Sequence, residues 1–202
     1  MIIKVCGLKL ENQIEKLDQV KRINWLGFIF YKGSKRFVES INGSVKSAKK
    51  VGVFVNEDVE NLLNIAEINQ LDILQLHGEE SPEMCKRLKA NYSIIKAFGM
   101  DENFDFSQLA NYQENVDYFL FDTKTKGYGG SGNLFDWSIL EEYKLNLPFL
   151  LSGGISIESL DNIKSFKHKS FIGIDLNSGF ENEPGDKNIE LVKTFLKQLD
   201  HE

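Results

Sequence analysis

The chain has only two cysteines, Cys6 and Cys85, in 202 residues. That is too few for a disulfide framework or a structural zinc cluster, so both are expected as free thiols. Its three histidines have no metal-ligand spacing and its carboxylates form no tight cluster, so no metal is expected. No apolar run approaches the ~20 residues of a membrane span, and the MIIKVCG start lacks the apolar region and cleavage site of a signal peptide. A cytoplasmic protein with no membrane partner is expected. Positive charge is scarce too. A net charge of -6 and a pI near 5.2 leave no basic field for a nucleic-acid backbone, while a local cationic pocket for a small anion stays compatible with that balance.

What is present is apolar and regularly spaced. At 42% hydrophobic the chain can bury one core but is short for two, so residues 1–202 are expected to form one domain. Apolar runs at Ile2–Cys6, Trp25–Tyr31, Val51–Val55, Ile73–Leu76, Ile94–Phe98, Tyr118–Phe121, Pro148–Leu151 and Ser170–Leu176 read as eight strands. Between them lie helical spacings: Glu11–Arg22, a helix capped by Asn56, one starting at Ser81-Pro82, Phe106–Tyr112, Asp136–Tyr143, one capped by Ser156, and Lys187–Leu199. Alternating strands and helices, with no strand patterned for a polar face, imply a parallel sheet with helical crossovers. Eight units imply a closed (β/α)8 TIM barrel near the lower size bound of ~200 residues. One unit is poor. Phe37–Lys50 holds three serines and Gly43 among few apolar residues, so the second helix is expected to be short or replaced by a loop.

In such a barrel the residues leaving each strand converge on one face. Cys6 ends the first strand and is followed at once by Gly7, which aims its thiol at that mouth; a small apolar filler is the plainer reading of an isolated cysteine. Asp122 ends the apolar run Tyr118–Phe121, where desolvation would disfavour its charged form and suit a general acid. Arg36, in KGSKRF, offers a fork for a substrate carboxylate, or is part of a solvated basic loop. LLSGGIS, with Gly153 and Gly154, and IDLNSGFENEPG, with Asn177, Ser178 and Gly179, are Gly/Ser turns after the seventh and eighth strands, the usual phosphate site of this fold. GYGGSG, after the sixth strand, matches neither a dinucleotide loop nor a P-loop and reads as a mobile lid. His77, ending LQLHG, touches ligand or is satisfied by neighbouring backbone, and is not taken as catalytic.

KVCGL, GFIFYKGSKR, VGVFVN, LQLHGEE, LFDTKTKGYGGSGNLFDW, LLSGGI and IDLNSGFENEPG occur in the order of one family's signatures, and the chain resembles the phosphoribosylanthranilate isomerases of tryptophan biosynthesis from end to end. The resemblance implies conversion of N-(5-phosphoribosyl)anthranilate into 1-(2-carboxyphenylamino)-1-deoxyribulose 5-phosphate, an Amadori rearrangement that uses no cofactor. It places the general base on Cys6, the general acid on Asp122 and the carboxylate-binding arginine on Arg36. The phosphate turns fall on Gly153 and Gly154 and on Asn177, Ser178 and Gly179, with Asp175 lining the site. Asn177 stands where the family often has serine, a change a backbone N–H contact survives.

The partner implied is a small phosphorylated substrate, with the chain working as a monomer or homodimer. A free thiol titrates near ~8.5, so nearby cations are expected to lower Cys6 toward the thiolate. Two other readings stand beside this one. A histidine-pathway isomerase of a related aminoaldose resembles a two-aspartate design, whereas this first strand ends in Cys6. A barrel that merely binds a phosphorylated ligand would have no use for both Cys6 and Asp122.

Overall fold

A computed structural model describes residues 1–124 and 135–201. Eight parallel strands close into a barrel in chain order: β1 (Ile2–Val5), β2 (Trp25–Ile29), β3 (Lys49–Phe54), β4 (Ile73–Leu76), β5 (Ser93–Met100), β6 (Tyr118–Thr123), β7 (Phe149–Leu151) and β8 (Phe171–Leu176). The ring shuts where β1 pairs with β8, Lys4 opposite Asp175 and Val5 opposite Leu176.

Strand parity sorts the side chains into two cores. Ile3, Val5, Phe28, Phe54, Leu76, Phe119, Phe121 and Ile174 point outward and pack under the crossovers. Trp25, Val51, Ile73, Ile95, Leu120 and Leu150 point inward and form an apolar plug low in the barrel. Above the plug the inward positions change character. Lys4, Gln75 and Asp175 are polar and buried, and Cys6, His77 and Asp122 stand above them at the strand ends.

The crossovers are α1 (Glu11–Asp18), α2 (Val59–Ile68), α3 (Pro82–Lys89), α4 (Leu160–Ser165) and α5 (Ile189–Asp200). The segments expected as helices at Phe106–Tyr112 and Asp136–Tyr143 are 3-10 turns at Phe106–Asn111 and Trp137–Glu142. Both are too short to carry a long apolar stripe, and each is started by an aspartate, Asp105 or Asp136, accepting a backbone N–H two residues on. Ser81 caps α3 as expected, through the Met84 N–H, with Pro82 in the first turn. The cap of α2 is Asp58 and not Asn56. Asn56 instead takes φ 51° and accepts the Glu79 N–H at 2.6 Å, joining the loops after β3 and β4. Buried Glu80 completes that junction, accepting N–H groups from Asn56 and Gly78 and pairing with Lys96 at 3.2 Å. Among the described residues no helix is long and apolar enough to cross a membrane.

No helix forms between β2 and β3, and side chains of neighbouring units pin the loop instead. Asn69 accepts the Ile41 N–H, and Asp18, at the end of α1, accepts those of Lys46, Ser47 and Ala48 at 2.8 to 3.0 Å. Burial pushes the Asp18 carboxyl up, but these backbone donors outweigh it and hold it below the usual carboxylate range. A depressed carboxyl contributes stability that is present above its unfolded value of ~3.9 and lost as pH falls through the folded value. Asp18→Ala is therefore expected to cost about 3 kcal/mol near neutral pH, three backbone donors losing a charged acceptor. In urea unfolding at a series of pH values, the gap from wild type should shrink below about pH 4.

Candidate active site

One cleft at the carboxyl end of the barrel is lined by Cys6, Tyr31, Ser34, Arg36, Gln75, His77, Asp122, Ser152, Asp175 and Asn177, among others. These come from the ends of β1, β2, β4, β6, β7 and β8, so only barrel closure makes them neighbours. Wider grooves near Met1, Phe166 and Leu199 lack any such convergence of thiol, carboxylate and guanidinium.

Cys6 follows β1 directly and is 3% exposed. Room for it comes from β2: a Cβ on Gly27 would lie 2.7 Å from the sulfur. Burial pushes the thiol above its ordinary value, opposed chiefly by Lys4, so the net effect is a more protonated thiol than the sequence suggests. The cations are present, but a sulfur sealed from water loses more from desolvation than they return. Lys4 itself is wholly buried, its ammonium 2.7 Å from Asp175 Oδ2. Burial works against its charge, yet Asp175 and the Cys6 thiol together hold its pKa above the ordinary lysine value.

Asp122 is less desolvated than its apolar strand implies, its side chain 16% exposed. Oδ1 accepts the Thr123 N–H at 2.8 Å, and Oδ2 lies 3.3 Å from His77 Nε2. His77 Nδ1 is 2.8 Å from Gln75 Nε2. With the Gln75 amide donating there, the ring proton belongs on Nε2, directed at Asp122. His77 is thus engaged by two side chains rather than by neighbouring backbone, and it faces the expected acid.

Arg36 lines the cleft but is already engaged. Its Nε and Nη2 grip the Glu181 carboxylate at 2.6 to 3.0 Å, and Lys187 reaches the same carboxylate at 2.5 Å. Burial pushes Glu181 up, but Arg36 and Lys187 outweigh it and keep the carboxyl below its ordinary range. Glu181 and Lys187 sit on a small hairpin, β9 (Glu181–Glu183) with β10 (Asp186–Lys187), that the apolar spacing of the sequence does not announce. Lys187 also donates to Asn177 Oδ1 at 2.7 Å, which fixes the turn after β8.

The two expected phosphate turns are both formed. Gly153 and Gly154 adopt φ of +78° and +65°, which non-glycine residues rarely hold, and a Cβ on Gly153 would stand 2.6 Å from Asp122 Oδ1. Ser178 and Gly179 lie in the 3-10 turn Ser178–Phe180, with Gly179 packed against the Ile155–Ser156 backbone of the other turn. Asp175 is 4% exposed, and its Oδ1 is buried without a partner. The GYGGSG loop, residues 127–132, lies outside the described residues.

Sequence reasoning missed Lys4, Gln75, Glu181 and Lys187. A signal existed for Lys4 and Gln75: each is a polar residue inside an apolar strand, two positions before a site residue and so on the same face. For Glu181 and Lys187 there was none short of the folded hairpin.

The family model for N-(5'-phosphoribosyl)anthranilate (PRA) isomerase matches residues 3–198. The N-(5'-phosphoribosyl)anthranilate isomerase of Parabacteroides distasonis is 52% identical over 209 residues, covering 100% of this chain and 94% of that protein. Among solved structures, monomeric forms generated from the dimeric Thermotoga maritima isomerase are 30% identical with a TM-score of 0.80 over 98% of both chains. A phosphoribosyl anthranilate isomerase in complex with reduced 1-(o-carboxyphenylamino)-1-deoxyribulose 5-phosphate is also 30% identical, with a TM-score of 0.79 over 98% of both chains. The fold, the order of the strand-end motifs and these likenesses agree, and the chain belongs to the N-(5'-phosphoribosyl)anthranilate isomerase family.

Proposed function

We propose that, in this isomerase of tryptophan biosynthesis, Cys6 is the general base and Asp122 the general acid of the Amadori rearrangement. Asp122, protonated, donates to the ribose ring oxygen of N-(5-phosphoribosyl)anthranilate; the C1–O bond breaks and the sugar opens to a Schiff base. The iminium makes the C2 hydrogen acidic, and the Cys6 thiolate removes it. Loss of the C2 hydroxyl proton and uptake of one at C1 give the ketone, 1-(2-carboxyphenylamino)-1-deoxyribulose 5-phosphate. The two side chains then regain their starting states by proton exchange with water. The observation that carries this reading is that Cys6 and Asp122, 116 positions apart (122 minus 6), line one cleft together with Arg36.

Substrate binding divides between the two rims. The turns at Gly153 and Gly154 and at Asn177, Ser178 and Gly179 offer backbone N–H groups to the phosphate. Arg36 offers its Nη1 edge to the anthranilate carboxylate while Glu181 holds the opposite edge rigid. Asp175 Oδ1, buried without a partner, is an acceptor for a sugar hydroxyl.

Every one of these groups comes from one chain working as one domain, so turnover needs no partner subunit. A homodimer, the state named for the Thermotoga maritima relative, is then a matter of stability. A cytoplasmic location and the absence of a nucleic-acid partner fit a net charge of -6.

The test is turnover itself, followed through the anthranilate fluorescence of the substrate with Cys6→Ala and Asp122→Asn as controls. Arg36→Met is expected to raise KM about 10- to 100-fold, the ~1.5 to 3 kcal/mol of a charged hydrogen bond, with a smaller change in kcat. An unmoved KM would take the carboxylate contact away from Arg36.

A further inference from the structure

Lys4 lies mid-strand in β1, two residues before Cys6, so the pleat turns both side chains into the barrel. It is 0% exposed, and lysines are almost never fully buried unless paired. Its ammonium lies 2.7 Å from Asp175 Oδ2, and Asp175 lines the cleft together with Cys6. Stability alone explains this poorly, because a buried ion pair can be replaced by apolar residues without loss, and the barrel layer below is already apolar.

We propose that Lys4 is a positioning residue for the isomerisation: its ammonium, anchored by Asp175, stabilises Cys6 in the thiolate form that accepts the C2 hydrogen. The inference rests on the reading of Cys6 as the base. In the step it serves, the C2–H bond breaks and an S–H bond forms. The released electron pair becomes the C1–C2 double bond of the enolamine and neutralises the iminium nitrogen.

Charged and titratable groups reach the cleft from every side. They are Arg36 after β2, His77 after β4, Asp122 on β6 and Asp175 on β8, with Lys4 on β1 and Lys187 on β10 buried behind the lining residues Asp175 and Asn177. Burial and Asp175 push the Cys6 thiol up, while Lys4 and, more weakly, Lys187 pull it down. Lys187 is committed to Glu181 and Asn177, and Arg36 to Glu181. Lys4, held by Asp175, is the cation that β1 itself places on the same inward face as Cys6.

The experiment measures iodoacetamide alkylation of Cys6 across a pH series, read by intact mass. A Cys85→Ala background is used so that the other thiol, pushed up to about 11 by burial, gives no background. Lys4→Met should alkylate at least about tenfold more slowly at neutral pH, equivalent to one unit in the thiol midpoint. Its kcat/KM at neutral pH should fall by a similar factor. Lys4→Arg, which keeps a cation, should recover most of both. Because Lys4→Met leaves Asp175 buried and unpaired, the double variant Lys4→Met/Asp175→Asn is measured beside it and should also be slow. Alkylation at the wild-type rate in either variant overturns the proposal. Turnover of Cys6→Ala tests the base assignment separately, since alkylation reports the thiolate whether or not Cys6 takes the proton.

Discussion

Cys6→Ala is expected to lower kcat by about 10²- to 10⁴-fold, the range contributed by a positioned general base, while KM changes little. The sulfur stands at the end of β1 in space that Gly27 leaves open, and it lines the cleft with Asp122 and Arg36. Alanine removes the proton acceptor without touching the Arg36–Glu181 clasp or the glycine turns that hold the rest of the substrate. The fold should persist, since deleting one small buried atom costs on the order of 1 kcal/mol. Circular dichroism and a urea melt beside the fluorescence assay separate lost chemistry from lost structure. The pH dependence of the thiol has a definite sign. Burial raises the thiol, so the thiolate fraction, read as the rate of Cys6 alkylation, should climb with pH through neutrality toward the alkaline side. A Cys6→Ala rate within tenfold of wild type would place the base elsewhere.

The barrel was legible because its strands are buried on both faces and read as unbroken apolar runs; each of the eight expected runs contains or overlaps a strand of the closed sheet. Strand ends were legible for the same reason, since a run that stops at Cys6, His77 or Asp122 marks where the chain emerges at the mouth. The crossovers were read less well. Asn56 and Asp58 are both good caps by residue type, and only the bond from Glu79 to Asn56 decides that α2 starts from Asp58. What the sequence hid were partnerships across the barrel. Lys4 meets Asp175 over 171 positions and Arg36 meets Glu181 over 145, separations that no local pattern encodes. Those contacts change the chemistry as well as the picture. Arg36 is a clamped fork and not a free cation, and Cys6 is a buried thiol whose charge depends on Lys4.

Asp122→Asn is expected to lose about 10²- to 10⁴-fold in kcat, because the amide keeps the shape of the carboxyl but has no proton to give to the ring oxygen. The side chain should stay in place, with the amide oxygen still accepting the Thr123 N–H that Oδ1 accepts at 2.8 Å. Its other edge then presents an N–H₂ to His77 Nε2, where Oδ2 stood at 3.3 Å. With Gln75 donating to Nδ1, the ring proton on Nε2 now meets a donor. The ring must therefore move its proton or turn away. Asp122→Ala frees His77 from that conflict, so comparing the two variants separates the missing acid from a disturbed histidine. Equal losses in both assign the effect to the proton of Asp122. A loss confined to Asp122→Asn, with Asp122→Ala within tenfold of wild type, would instead make His77 the group that protonates the ring oxygen. Single-turnover rates of substrate fluorescence decay decide between them, because ring opening precedes every later step.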